Sequence, residues 1–351
     1  MRKSIALLLA LIIALGTGAL ALAEGGTYEI ALVTDVGNID DRSFNQASWE
    51  GVVEYATTNG LTNNYYQPSE DSDLSREETM RTAIEKGAKV IVLPGFLFAT
   101  SAAVIAKEYP DVQILLVDTP PSEPDLPNIY SVLYQEEQSG FFAGYAAVKD
   151  GYKKLGFLGG MAVPAVVRYG HGFVQGAEFA AQEMGVTDVE IKYWYSGAFW
   201  PTDDIKIKMG GWATEGVEVV FACGGGIVFS ALLAADEADT LVIGVDVDQS
   251  NLSPRIITSA MKHLKNSVID SLTRLYDNGG TWGELGGVVA VLGAKEGDVG
   301  LPTEPESWKL NVFTVEEYNA LYEKIVAGEI DISDDVENVP AVINIAVDYQ
   351  E

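Results

Sequence analysis

The chain has 351 residues, a formal net charge of −29, two histidines and one cysteine. So acidic a chain repels nucleic acid and anionic membranes, which removes both from its expected partners. A single cysteine allows no internal disulfide, and neither His171 nor His263 has metal-ligand company, so no metal and no cofactor are expected.

Arg2 and Lys3 lead into an apolar run from Ile5 to Leu15, and Ala21-Leu22-Ala23 precedes Glu24. That order of charge, short apolar core and small residues predicts a secretory signal peptide over residues 1–23. The alternative is a membrane anchor, for which the core is short. The mature protein is therefore expected outside the cytoplasmic membrane, and more acidic still without Arg2 and Lys3. What remains is long enough for two lobes with separate cores.

From residue 28 onward, strand and helix patterns alternate. Short β-rich apolar runs fall at 28–34, 90–93, 112–117, 154–158, 189–195, 217–222 and 241–245. Helical patterns fall at 44–57, 74–86, 100–109, 138–149, 166–184, 204–215 and 228–235. This rhythm predicts an α/β fold with parallel sheets covered by helices on both faces.

The strand ends share a character. They run into Asp35, Pro94-Gly95, Asp118, Gly159-Gly160, Gly224-Gly225-Gly226 and Asp246. Each alone is an ordinary turn signal. Together they outline a polar rim, because ligands of open α/β sheets bind beyond the carboxyl ends of the strands. Cys223, between an apolar run and the three glycines, reads as a small buried residue at a strand end.

The richest segment follows the first strand: Thr34-Asp35-Val-Gly-Asn-Ile-Asp40-Asp41-Arg42-Ser43-Phe44-Asn45-Gln46, then a helix with Trp49 and Gly51. It places Asp35, Phe44 and Asn45 where a small molecule would sit. It also resembles the opening signature of the basic membrane protein family, the PnrA-like nucleoside-binding proteins of bacterial ABC importers. The resemblance continues through Gly159-Gly160 to Pro164, Gly172-Phe173 to Gly176, and the loop Ser196 to Pro201. It closes with Gly244-Val-Asp246-Val-Asp248-Gln249, Thr258-Ser259-Ala-Met-Lys262 and the segment Gly293 to Pro302.

The resemblance implies a type I periplasmic binding protein: two doubly wound parallel-sheet lobes joined by a three-crossing hinge. Crossings are expected near 131–134, 257–259 and 286–289. The first lobe would hold 27–132 and 259–286, the second 133–258 and 287–351. Relatives carry a lipobox cysteine after the signal segment, and this chain has none there, so lipid anchoring does not follow.

The implied ligand is a nucleoside, and the residues suit one. Phe44 and Phe199, one from each lobe, would clamp a base, with Trp200 as the alternative stacker to Phe199. Asp246 would accept from the ribose hydroxyls, braced by Lys262, with the backbone amides of Gly224 and Gly225 nearby. Asp35, Asn45 and Asp118 would meet the polar edge of the base, Asn45 offering both a donor and an acceptor. Phe44 read by pattern alone is equally a core residue, and Lys262 a solvated helix-start lysine. Asp40, Asp41, Arg42 and Asp248 read as turn, cap and lobe-supporting residues.

Catalysis has little support. There is no G-x-S-x-G elbow, no G-K-[ST] ending to the glycine cluster, and nothing beside Asp40 and Asp41 to activate a nucleophile. The expected protein is a monomeric extracytoplasmic receptor, not an enzyme, that captures a nucleoside, a purine one in the first instance, and delivers it to an ABC permease. The alternatives are a receptor for another neutral solute, such as a sugar or signalling molecule, and a nucleoside-cleaving hydrolase.

Overall fold

The computed structural model describes residues 27–350, and the expected signal segment lies outside them. Six parallel strands form the first sheet. Their spatial order is β11 (Val289–Leu292), β5 (Ile129–Tyr134), β4 (Gln113–Val117), β3 (Val90–Pro94), β1 (Ile30–Val33) and β2 (Asn63–Tyr66). Strands β1, β3 and β4 are buried at every position. Continuous apolar runs, without alternation, are what a sheet covered on both faces requires. Helices α1 (Phe44–Asn59), α2 (Asp73–Glu85), α3 (Ala99–Glu108) and α8 (Leu264–Asp277) supply that cover.

The second sheet has seven strands: β12 (Val299–Gly300), β10 (Ile256–Lys262), β9 (Leu241–Asp246), β8 (Val219–Cys223), β6 (Lys154–Gly159), β7 (Val189–Tyr195) and β13 (Ile345–Tyr349). Only β12 runs antiparallel to its neighbour. Around it lie α4 (Glu136–Lys149), α5 (Pro164–Met184), α6 (Asp203–Thr214), α7 (Ile227–Ala238) and α9 (Val315–Val326). Two doubly wound lobes thus face each other.

The chain passes between them after β5, after β10 and after β11, and the three crossings lie side by side. Gln135 N–H donates to the Leu292 carbonyl at 2.9 Å and His263 N–H to the Asp298 carbonyl at 2.8 Å. Ser139 Oγ donates to the Met261 carbonyl at 2.9 Å. The bonds tie the crossings into one hinge.

Strand pairing differs from the expected boundaries in three places, the first being β5, which stays in the first sheet through Tyr134 where the expected lobe ended at 132. β10, divided at 258/259 by the expectation, lies wholly in the second sheet beside β9, and β11 pairs with β5 in the first. We propose lobe limits of 27–134 with 264–292, and 135–263 with 293–350, accordingly. β11 is short and apolar and β10 mixes apolar with small polar residues, and nothing in either run records which sheet it joins. β2 escapes the sequence pattern because an edge strand reading Asn-Asn-Tyr-Tyr has no apolar run. α8 and α9 do carry signals: Leu264, Val268, Leu272 and Leu275 share one helical face, and Thr314 with Glu317 forms a capping box.

One contact fixes the geometry of the second lobe. α4 and α5 approach until a Cβ on Gly144 would lie 2.0 Å from the Phe173 carbonyl oxygen, and one on Gly172 2.0 Å from that of Glu137. A Cβ on Gly176 would likewise lie 2.0 Å from the Phe141 carbonyl oxygen, so backbone packs on backbone there, which gives a physical reason for both glycines of the Gly172-Phe173-Val-Gln-Gly176 segment.

Candidate binding site

The carboxyl ends of both sheets open on one cleft between the lobes, with about 630 Å³ of space including the part open to solvent. All nine residues singled out in the sequence line it: Asp35, Phe44, Asn45 and Asp118 from the first lobe, Phe199, Gly224, Gly225, Asp246 and Lys262 from the second. Trp200 does not; its side is turned to solvent and it is 45 % exposed.

An acid–lysine cluster forms one end. Lys262 ends β10 and is 2 % exposed. Its Nζ pairs across the cleft with Asp118 Oδ2, and lies 3.2 Å from Glu136 Oε1 and 3.7 Å from Asp246 Oδ1. It also lies over the Phe44, Tyr134 and Tyr169 rings, at 4.7, 5.3 and 5.6 Å from their centroids. The solvated helix-start reading of this lysine does not hold. β9 and β10 are neighbours in register, Met261 opposite Asp246, and that pairing brings the ammonium to the carboxylate.

Asp118 and Asp246 both take left-handed backbone conformations, with φ of 69° and 65°. Such strain in non-glycine residues at strand ends persists only where the surroundings over-determine it. Here each carboxylate is fixed to a partner: Asp118 to Lys262, and Asp246 Oδ2 to Ser43 Oγ of the opposite lobe at 2.6 Å.

Burial pushes the carboxyls of Asp118 and Asp246 above the ordinary range, while Lys262 pulls each back down. Burial also acts to raise Glu136, but Lys262 and Arg168 outweigh it and hold the group low. Arg168 Nε reaches Glu136 Oε2 at 2.6 Å. Burial alone would lower Lys262; Asp118, Glu136 and Asp246 together more than reverse that, so the ammonium stays charged.

The first-lobe wall is built at the start of α1. Asp41 Oδ1 accepts from the backbone N–H groups of Ser43 at 2.9 Å and Gln46 at 3.1 Å, and Oδ2 from that of Asn45 at 2.9 Å. It therefore caps the helix, as its position suggests, and also lines the cleft. Its Oδ2 takes a further bond from Asn45 Nδ2 at 3.1 Å. One of the two N–H donors of the Asn45 amide is thus committed to Asp41. Against the burial that raises the Asp35 carboxyl, a side-chain hydrogen bond from Asn45 also helps hold it down, so the donors that Asn45 was expected to offer a ligand are engaged within the protein. Asp35 stands alongside, its carboxyl lifted by burial to about 6 and partly pulled back by the Gly37 N–H at 2.8 Å. Gly95 has φ of 126°, and a Cβ there would meet Asp35 Oδ2 at 2.6 Å, so glycine alone fits that wall.

Three buried polar atoms of lining residues have no partner among the described residues: Asn45 Oδ1, Asp118 Oδ1 and Tyr169 Oη. The N–H groups of Gly224 and Gly225 likewise donate to none. Unpaired buried polar groups are costly, so each of these atoms needs a hydrogen-bonding partner from water or from a molecule bound in the cleft. Tyr169, Phe96, Leu97 and Val166 add apolar lining. They were not singled out in the sequence. Tyr169 is one apolar position among many in a long amphipathic helix, and Phe96 sits in a turn that only the Pro94-Gly95 strand end hints at. Cys223 is buried at the end of β8 as expected, and it too lines the cleft.

A sequence model described as an ABC transporter substrate-binding protein, PnrA-like, matches residues 29–336. The chain belongs to this family. Among its relatives, the PnrA-like chain is 30% identical over 295 residues to the ABC transporter nucleoside-binding protein BmpA of Lactococcus lactis subsp. cremoris, covering 77% of this chain and 80% of that one. It is 29% identical over 316 residues to basic membrane protein A of Borreliella afzelii, covering 88% and 92%. An ABC transporter solute-binding protein from Aeropyrum pernix superposes with a TM-score of 0.77 over 88% of this chain and 94% of that chain, at 24% identity. The last likeness carries the fold alone. No helix among the described residues is long and apolar enough to cross a membrane.

Proposed function

We propose that this PnrA-like protein is a nucleoside receptor, specific for purines, that closes its lobes over the ligand and passes it intact to an ABC permease. The observation that carries this is a single cleft in which aromatic rings from both lobes stand beside unpartnered polar atoms. A flat heteroaromatic base needs the first and its edge needs the second. The nucleoside-binding relative from Lactococcus lactis supports the same ligand class. Secretion behind a cleaved signal peptide, and action as a monomer, complete the proposal. Closure about the three crossings is the expected motion.

Phe199→Ala is expected to weaken purine nucleoside binding by about 1–3 kcal/mol through lost stacking, with the fold retained. Isothermal calorimetry checks this, and equal affinity in variant and parent removes Phe199 from the clamp.

Among the described residues lining the cleft, Lys262 is the only cation, and three carboxylates already surround it. A phosphate group would bring about −1.5 to −2 charges into that setting. Guanosine is therefore expected to bind at least about 100-fold more tightly than GMP, since like-charge juxtaposition costs several kcal/mol. Parallel titrations at moderate salt test the proposal as a whole. Binding of neither guanosine nor adenosine, with ribose or another neutral solute bound instead, overturns the nucleoside reading. Release of free base from inosine overturns the receptor reading.

A further inference from the structure

We infer that Asp41 sets which edge of a nucleobase the cleft accepts, by locking the Asn45 amide so that its oxygen is the atom left to the ligand. The inference rests on the nucleoside reading above and narrows it.

The Asn45 amide has one arrangement that its surroundings tolerate. Its Nδ2 donates to Asp41 Oδ2 at 3.1 Å. Asp41 is held as an acceptor by three backbone N–H groups, those of Ser43, Asn45 and Gln46. The Asp35 carboxylate flanks the same side: a Cβ built on Gly37 would fall 2.3 Å from Asn45 Nδ2 and 3.2 Å from Asp35 Oδ1. Turning the amide over would set Oδ1 against two carboxylates with no hydrogen between them. The oxygen is therefore the free end, and it is buried without a partner in a residue that lines the cleft.

The first-lobe wall then presents acceptors: Asn45 Oδ1, the Asp35 carboxyl and the unpartnered Asp118 Oδ1. An edge that brings adjacent N–H donors satisfies such a wall. Guanine offers N1–H beside its 2-amino group. Hypoxanthine keeps N1–H alone. Adenine sets a lone pair at N1, which would face an acceptor and leave both unsatisfied. The expected order is guanosine, inosine, adenosine.

Titration of the parent protein with these three ligands comes first. Guanosine is expected to bind more tightly than adenosine by about tenfold or more, the effect of one unmet buried hydrogen bond. Asp41→Asn sets an amide NH₂ against that of Asn45 and frees it to turn. Guanosine affinity is then expected to fall about tenfold while adenosine changes less than about threefold. Gly37→Ala displaces the same amide without touching the helix cap, and is expected to shift the ratio in the same direction. It decides the matter where Asp41→Asn does not fold. Equal weakening of both ligands in the folded variants would make Asp41 a helix cap only and overturn the inference, as would a parent indifferent to the base. A parent that binds no purine nucleoside overturns the nucleoside reading itself.

Discussion

Lys262→Met is expected to destabilise the protein by about 3–5 kcal/mol near pH 8 and to abolish ligand binding. Methionine fills a similar volume, so the loss is electrostatic. Asp118, Glu136 and Asp246 would remain buried, with 8 %, 0 % and 6 % exposure, and only Arg168 left to answer Glu136. Removing one partner from a buried ionic cluster leaves uncompensated charge where water cannot reach it, and that penalty exceeds the net worth of the intact cluster.

The pH dependence follows from the direction of the shifts. Burial already raises Asp118 and Asp246 above their ordinary range, and Lys262 is what opposes it. Without the lysine both rise further, so the folded variant binds more protons than its unfolded chain. Stability then falls as pH rises, from the ordinary carboxylate value of about 4 up to the raised folded values. The difference between parent and variant should therefore be largest at pH 8 and shrink at pH 5, where the acids take up protons. Urea unfolding at the two pH values measures it. A loss below about 1 kcal/mol, or the same loss at both, would mean that solvent screens the cluster.

The site was legible in the sequence to an uneven degree, and the reason is how local each signal is. Asp35, Gly95, Asp118 and Asp246 each end an apolar run, so a one-dimensional pattern places them on the rim. Phe44 and Asn45 follow from the turn that joins such a run to a helix. Lys262 was readable only through resemblance, because its burial depends on β9 lying beside β10 and on Asp118 reaching it from the other lobe. Glu136 and Arg168 look like solvated helix charges. They are 0 % and 13 % exposed as side chains because α4 begins at the hinge and α5 packs directly on it. The capping role of Asp41 was visible in its position before a helix. Its hold on the Asn45 amide was not, since that needs the side chain's path back across the turn. The edge strands were hard to read for separate reasons: β2 is polar, β12 spans only two residues, and β11 and β13 are short runs set far along the chain from the strands they pair with.

Gly144→Ala should lose about 3 kcal/mol of stability, although alanine is the better helix former by about 1 kcal/mol. The added Cβ would stand 2.0 Å from the Phe173 carbonyl oxygen and 3.1 Å from the Ala177 nitrogen, and both obstacles are backbone. No rotamer change relieves such a clash, so α4 and α5 must part. Parting thins the contacts of Phe141, Tyr145 and Phe173 behind the crossing, all of them buried. It also reaches the site. Glu136 opens α4 while Arg168 and Tyr169 ride on α5, so widening the gap lengthens the 2.6 Å pair between Glu136 and Arg168 and loosens the brace on Lys262. Ligand affinity should fall together with the melting temperature. Gly210→Ala supplies the contrast. Gly210 lies in α6 with nothing within 4 Å of a built Cβ, and the same substitution there should stabilise by about 0.5–1 kcal/mol while leaving affinity unchanged. Thermal unfolding of the two variants beside the parent decides the point: opposite signs are required, and a Gly144→Ala protein as stable as the parent would mean that the two helices do not meet backbone to backbone.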